Sequence, residues 1–358
     1  MLEILENNIV APDNQPFQRV TLQNLNGMRV QFLDWGATWI SCQIPVGTES
    51  REVLLGCKPE DYEKQTAFMG GTIGRYANRI ANACYPDPLA DQGIRRLAPN
   101  QGQHQLHGGV RGFDKVRWKI SEFSANFVQF SYVALDREQG FPGSVQVYLT
   151  YELLPNNTLL VQFEATPSAD TPLNLTSHVY FNLNDAENGA DVRSHFLQLN
   201  ADHFLPVDSQ GIPSAPLKSV DQTSFDFRTE KTIARDFLQE EQQETKGYDH
   251  AFLLNSAENT DSNVKETQPC AILTAPDRSL SLQVFTSQSA IQVYTANYLG
   301  GTLTRQGNEY ADYAGIALET QALPDTPNHP EWWKYGGMSK AGERYYQWTK
   351  FSFVIPKA

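Results

Sequence analysis

The chain has 358 residues, 40% of them hydrophobic, enough to bury a large core; a single all-β domain spanning 1–358 is therefore expected. Its 41 acidic against 28 basic residues leave a net charge of -13, and no dense run of Lys or Arg interrupts it, which excludes a phosphate-tracking nucleic-acid surface. A neutral small molecule is the easier partner.

The chain opens on Met1, Leu2, Glu3, Ile4, Leu5 and Glu6, with acidic residues where a signal peptide needs basic ones. No apolar stretch reaches the length of a membrane span, so a cytoplasmic protein with no membrane partner is expected. Cys42, Cys57, Cys84 and Cys270 show no CxxC spacing and read as reduced thiols rather than a disulfide framework or zinc knuckle.

Two polar signatures come first along the chain, GRYANRI at 74–80 and LHGG at 106–109. Arg75 and Arg79, an even number of residues apart, would share one face of an extended strand, with Arg75 in a structural ion pair. His107 is followed by glycines that let backbone and ligand approach closely, whereas His104 reads as a turn histidine in solvent. The His104-x-x-His107 pair has no third and fourth ligand at a recognisable spacing, so no metal and no cofactor is expected.

From Val145 the apolar positions Val147, Leu149, Tyr151 and Leu153 alternate with polar ones; after 155–157 the alternation resumes at Leu159, Val161 and Phe163, which predicts a β-hairpin. The signature LTSHVYFNL follows at 175–183. The best helical pattern covers 230–243, with Ile233, Phe237 and Leu238 as a modest apolar face. GYDH occupies 247–250, and the polar segment 255–268 reads as a surface excursion rather than a domain linker. Strands are expected around Leu280, Leu282 and Val284, around Ile291 and Val293, and over 349–355, with LETQ at 318–321 between the last two.

Twenty-four glycines and twenty prolines punctuate these segments, as expected for many short strands joined by turns. No strand is followed by G-x-G-x-x-G, no G-x-x-x-x-G-K-[ST] occurs and no repeat of 20 to 50 residues is evident, so nucleotide cofactors and solenoids are not expected. The fold class is all-β, a large antiparallel β-sandwich with few short helices. Each signature sets an Arg, His, Asp or Glu beside Gly, aromatic or apolar neighbours, where a charged group is held and tuned rather than solvated. Two histidines and two carboxylates held this way point to acid/base catalysis on a neutral polar ligand.

The blocks GGTIGRYANRIANA (70–83), NQGQHQLHGGVRGFDKVRW (100–118), GFPG (140–143), LTSHVYFNL, ADHFLPVD (201–208), GYDHAFLLN and GIALETQALPDTPN (315–328) resemble, in order and roughly in spacing, the aldose 1-epimerases or galactose mutarotases. The resemblance implies a mutarotase-like supersandwich that binds a free aldohexose in an open cleft and exchanges its α and β anomers without metal or cofactor. It further implies Glu319 as base, His178 as acid, His107 as a third catalytic group donating a hydrogen bond near the ring oxygen, and Asn78, Arg79, His107, Tyr180, Asp249 and Gln292 as sugar ligands. Asp249 can accept hydrogen bonds from two adjacent hydroxyls, but an Asp after Gly-Tyr is also an ordinary turn residue. Gln292, taken without the resemblance, reads as a solvated strand position. The family pattern carries Asn before the histidine, and this chain has Ser177.

Anomer exchange needs one base at the C1 hydroxyl and one acid at the ring oxygen, and a carboxylate and an imidazolium with ordinary pKa values near 4.3 and 6.5 can hold these roles. Three alternatives differ in sequence demand. A non-catalytic sugar-binding module would commonly lose Glu319 or His178, a glycoside hydrolase needs two carboxylates that only Glu319 and Asp249 could supply, and a hexose-phosphate 1-epimerase needs a basic cluster beyond Arg75 and Arg79. Whether the chain works as monomer or homodimer is left open by the sequence.

Overall fold

The alternation at 145–163 folds as two ten-residue strands, Val145–Leu154 and Thr158–Pro167, paired from Val145 opposite Pro167 to Leu154 opposite Thr158. Period two sends Val147, Leu149, Tyr151 and Leu153 inward, where they are buried, and leaves Tyr148 exposed on the other face. The structure, a computed structural model, describes residues 1–5, 9–257 and 262–356. The predicted hairpin is the middle of a nine-stranded antiparallel sheet. Its order is Lys119–Phe123, Phe127–Ala134, Val145–Leu154, Thr158–Pro167, Tyr345–Val354, Ser281–Thr286, Ala271–Thr274, Phe196–Leu199 and Lys231–Thr232.

A six-stranded sheet faces it, in the order Tyr180–Phe181, Ile316–Gln321, Ala290–Tyr294, Asp249–Leu253, His203–Phe204 and Lys218–Ser219. Ile291, Val293, Ile316, Leu318 and Phe252 from this sheet share one core with Leu149, Leu282, Val284, Phe351 and Phe353 from the larger one. Each such side chain removed from water is worth about 1.5–3 kcal/mol, so the facing apolar rows fix which side of each strand turns inward. A five-stranded meander, from Leu2–Ile4 to Glu49–Glu52, joins the same core, with Phe32 stacked on Tyr151 at 4.2 Å.

Residues 230–243 do not form the expected helix. Lys231–Thr232 pairs instead with Phe196–Leu199 at the edge of the large sheet, and only Gln242–Thr245 closes a helical turn. Asp236, Leu238 and Glu240 adopt left-handed backbone angles that a right-handed helix cannot contain. Ile233 and Phe237 serve tertiary contacts, Phe237 lying against Tyr248 and Tyr313, while Leu238 stays exposed. The segment 255–268 is in part a surface helix, Ser262–Thr267, tied to the sheet by Lys265 on the Ser287 carbonyl and Glu266 on Lys350; residues 258–261 lie outside the described residues.

Candidate active site

The site stands on the outer face of the six-stranded sheet. In Ile316–Gln321 the core takes Ile316 and Leu318, so Ala317 and Glu319 point the other way. The neighbouring strand places Gln292 directly opposite Glu319, and the next places Asp249 opposite Tyr294. The same rule sends His250 of GYDH into the core, fully buried against Phe225 at 4.7 Å.

His178 enters from beside the sheet: its N–H donates to the Gly71 carbonyl and its carbonyl accepts from the Gly70 N–H. His107 is held by two bonds to Asn78, since its N–H donates to the Asn78 carbonyl and its Nδ1 accepts from the Asn78 N–H at 3.1 Å. The glycine after it is required, because a Cβ on Gly108 would lie 1.9 Å from the Gly74 carbonyl oxygen. With Nδ1 accepting, neutral His107 carries its proton on Nε2 and presents a donor.

His178 Nε2 lies 3.6 Å from Glu319 Oε1, and the His107 ring meets the His178 ring edge-on at 5.2 Å. All three side chains are buried. Burial lowers the His178 pKa to about 4 and pushes that of His107 well below its usual value, with His178 and Arg79 adding to the effect on His107. It raises Glu319 well above the usual carboxylate range, reinforced by Asp249 and opposed by Arg79. Burial thus works against both charged forms, favouring a protonated carboxyl and a neutral imidazole over the ion pair expected from their ordinary pKa values.

One ligand atom from each of His107, His178 and Glu319 falls within 4.8 Å of the others, a grouping that sequence spacing did not foresee. The Asn78 N–H on His107 Nδ1 decides how the trio can be used. It leaves His107 an N–H donor, so the three groups fit a hydroxyl-bearing ligand better than a cation, which would need the lone pair.

These groups lie in a cleft of about 520 Å³ that Asn78, Arg79, Tyr180 and Asp249 also line. The Arg79 Nε donates to Gln101 Oε1 at 2.8 Å, and one terminal nitrogen lies 3.8 Å from Asp249. Asn78 accepts the Arg79 N–H through Oδ1, which leaves its amide donors for a ligand. Tyr180 contributes its ring, since its hydroxyl already donates to the Ala67 carbonyl. Gln292 is not a solvated strand residue: it is 2% exposed, sits behind Asp249 and donates to its Oδ1 at 2.6 Å.

Two further readings are corrected. Among the described residues Arg75 forms no ion pair; buried, it donates to the carbonyls of Pro142, Gly143 and Leu135, and desolvation lowers its pKa to about 10. His104 is no solvent-facing turn residue but a buried wall of the cleft, 5% exposed. Sequence reasoning also missed Phe68, whose ring lies 4.6 Å from His107, and Tyr294, which lies 6.4 Å from His178. Tyr294 was within reach of the period-two argument, being two residues from Gln292; Phe68 carries no comparable signal.

The sequence profile described as aldose 1-epimerase matches residues 18–352. The chain belongs to the aldose 1-epimerase family. It is 57% identical over 343 residues to an aldose 1-epimerase of Haemophilus influenzae, covering 96% of this chain and 97% of that one. It is 46% identical to one of Escherichia coli, over 98% and 99% of the two chains. The crystal structure of galactose 1-epimerase from Lactobacillus acidophilus superposes with a TM-score of 0.82 at 28% identity, covering 100% of this chain and 99% of that one. Aldose 1-epimerases are isomerases, and this chain is an enzyme of that class with the family's antiparallel fold. Ser177, where Asn is the expected family residue, is buried.

Proposed function

We propose that Glu319 and His178 interconvert the α and β anomers of a free aldohexose held in the cleft, with galactose and glucose as the first substrates to test and the whole chain 1–358 acting as one unit. The observation that carries this reading is the 3.6 Å contact between a carboxyl group and an imidazole buried side by side on the cleft floor, with proton affinities displaced in opposite directions. Glu319 removes the proton from the C1 hydroxyl while His178 protonates the ring oxygen. The C1–O5 bond breaks and C1 becomes an aldehyde. Rotation about C1–C2 presents the other carbonyl face, and reclosure returns both protons by the reverse transfers.

Ring opening begins with ionised Glu319 and protonated His178 and ends with protonated Glu319 and neutral His178. Burial opposes the ionised carboxylate and the imidazolium alike, so the two transfers relieve both groups as the ring opens. The pair holds one proton throughout, and no proton has to be traded with solvent. His107 Nε2–H, the Asn78 amide and Arg79 donate to sugar oxygens, and Asp249 Oδ2 accepts from hydroxyls. Gln292 acts through Asp249 as a positioning residue, because its Nε2 donates to Asp249 Oδ1 and it does not itself line the cleft. Among the described residues that line the cleft, Arg79 is the one of permanent positive charge, and Gln101 already occupies its Nε. A free sugar therefore fits better than a sugar phosphate.

Four cysteines without a disulfide, and no helix among the described residues long and apolar enough to cross a membrane, suit a cytoplasmic setting. The test of the reading is polarimetry on freshly dissolved α-galactose and α-glucose, with and without the protein. Acceleration of the approach to the equilibrium rotation is expected; rates equal to the spontaneous ones for both sugars would overturn it.

A further inference from the structure

His104 and Gln210 join two walls of the cleft that are far apart in sequence. His104 belongs to the loop before LHGG, and its Nδ1 accepts from the Asn82 N–H at 3.0 Å. That bond places the ring proton on Nε2, which lies 3.0 Å from Gln210 Oε1 and donates to it. Gln210 sits at the tip of the turn that follows His203–Phe204, where Asp208 Oδ1 accepts from the N–H groups of Gln210 and Ile212. The turn is thus rigid in itself and is fastened across the cleft by one side-chain contact.

What the turn presses on is Arg79. Gly211, at φ +76, lies so close that a Cβ there would fall 2.5 Å from the Arg79 Cζ. The guanidinium is held between the Gly211 backbone and the Gln101 side chain that accepts from its Nε, with its terminal nitrogens left toward Asp249 and the cleft. Nothing else among the hydrogen bonds of the described residues fixes the direction of that fork.

We propose that the His104–Gln210 hydrogen bond is a latch that holds the Asp208–Gly211 turn against Arg79 and so sets the affinity and hydroxyl selectivity of the sugar site, leaving the proton transfers to the groups on the cleft floor. His104 is on this view a positioning residue, not a catalytic one. The inference rests on the sugar-isomerase reading of the cleft. Arg79 also holds down the proton affinity of Glu319, so a loosened Arg79 would carry the alkaline limb of the pH profile to higher pH.

His104→Asn, Gln210→Ala and the double variant test this. Asn can still accept the Asn82 N–H but is too short to reach Gln210, so the local turn is kept while the latch is cut. A lost hydrogen bond between neutral groups predicts KM for galactose raised about 2- to 10-fold in each single variant. The double variant should be no worse than either single one, with kcat within about two-fold and the alkaline limb displaced upward. An unchanged KM in both single variants, effects that multiply in the double variant, or a kcat that falls in step with Tm would each overturn the latch. Wild-type turnover of galactose, measured alongside, reports separately on the reading of the site: absence of turnover removes the isomerase, whereas turnover with unchanged variants removes only the latch.

Discussion

The hairpin strand Val145–Leu154 and the site strand Ile316–Gln321 follow the same rule and end in opposite environments. Both turn alternate apolar residues into the shared core, Leu149 and Tyr151 from one, Ile316 and Leu318 from the other. On the hairpin the outward residues meet water, as Tyr148 does at 39% exposure, and Glu152 remains only partly covered. On the site strand the outward Glu319 is 2% exposed, because the loops carrying Phe68, His107 and Gln210 close over that face of the sheet. Alternation decides which way a side chain points, and what it meets there is decided by loops from elsewhere in the chain. A carboxylate in the first setting is a solubility group; in the second its proton affinity is moved far enough to do chemistry.

The comparison can be broken most forcefully by matched substitutions. Glu319→Gln should lower kcat by about 10²- to 10⁴-fold while galactose still binds, whereas Glu152→Gln should leave the polarimetric rate unchanged. Equal, small effects from the two would mean that the covered face has no special role.

The pH profile sharpens the assignment. The active pair carries one proton, so kcat/KM should be bell-shaped, falling on the acid side as a second proton is gained, with His178 as its acceptor near pH 4, and on the alkaline side as Glu319 loses the last one. In His178→Asn most of the rate should go, and the residual rate should rise with pH as Glu319 ionises. An alkaline fall that survives in that variant would move suspicion to His107.

Stability should report the same burial. His178 and His195, with pKa lowered to about 4, His250, lowered to about 3, and His107 are held neutral in the fold, while the unfolded chain takes up protons below its ordinary value of about 6.5. Each such group removes about 1.4 kcal/mol of stability per pH unit between its unfolded and folded values. Urea midpoints should therefore drop steeply from pH 6.5 toward pH 4, and a flat profile there would contradict the buried neutral state. Glu319 acts with the opposite sign: its raised pKa means stability present at low pH and lost as pH rises through the folded value, so Glu319→Gln should gain on the wild type in alkaline urea melts. The smallest effect expected is none: exhaustive chelation should leave turnover intact, since His107 offers a donor rather than a lone pair. Loss of turnover with recovery on adding zinc would reverse that conclusion.

The strands and the inward residues were legible because period two is a local property; Val147, Leu149, Leu282, Val284, Ile291 and Val293 needed nothing but their own spacing. Polar residues were harder in proportion to their dependence on distant cover. Gln292 and His104 both looked solvated, and both are buried by segments that no local pattern announces. Arg75 looked like half of an ion pair because carbonyl acceptors have no signature in sequence. The helix expected at 230–243 gave way to the demand of the large sheet for an edge strand and to tertiary contacts of Ile233 and Phe237, which outweigh a weak apolar face. Glu319 and His178 could be picked out as a pair through family resemblance; their 3.6 Å approach joins a strand to a segment well over a hundred residues away.

The strand Tyr345–Val354 lies inside the nine-stranded sheet, between Thr158–Pro167 and Ser281–Thr286, and one of its contacts, Thr158 to Ser352, spans 194 residues. During synthesis the two neighbours wait with unpaired edges until residue 354 has been made, and only then can the sheet close. Assembly is therefore governed by a late, long-range event, slow in comparison with local hairpin formation and exposed to edge-to-edge association while it lasts. Loss of that one strand would split the sheet through its interior, leaving two halves that share a core but no ladder.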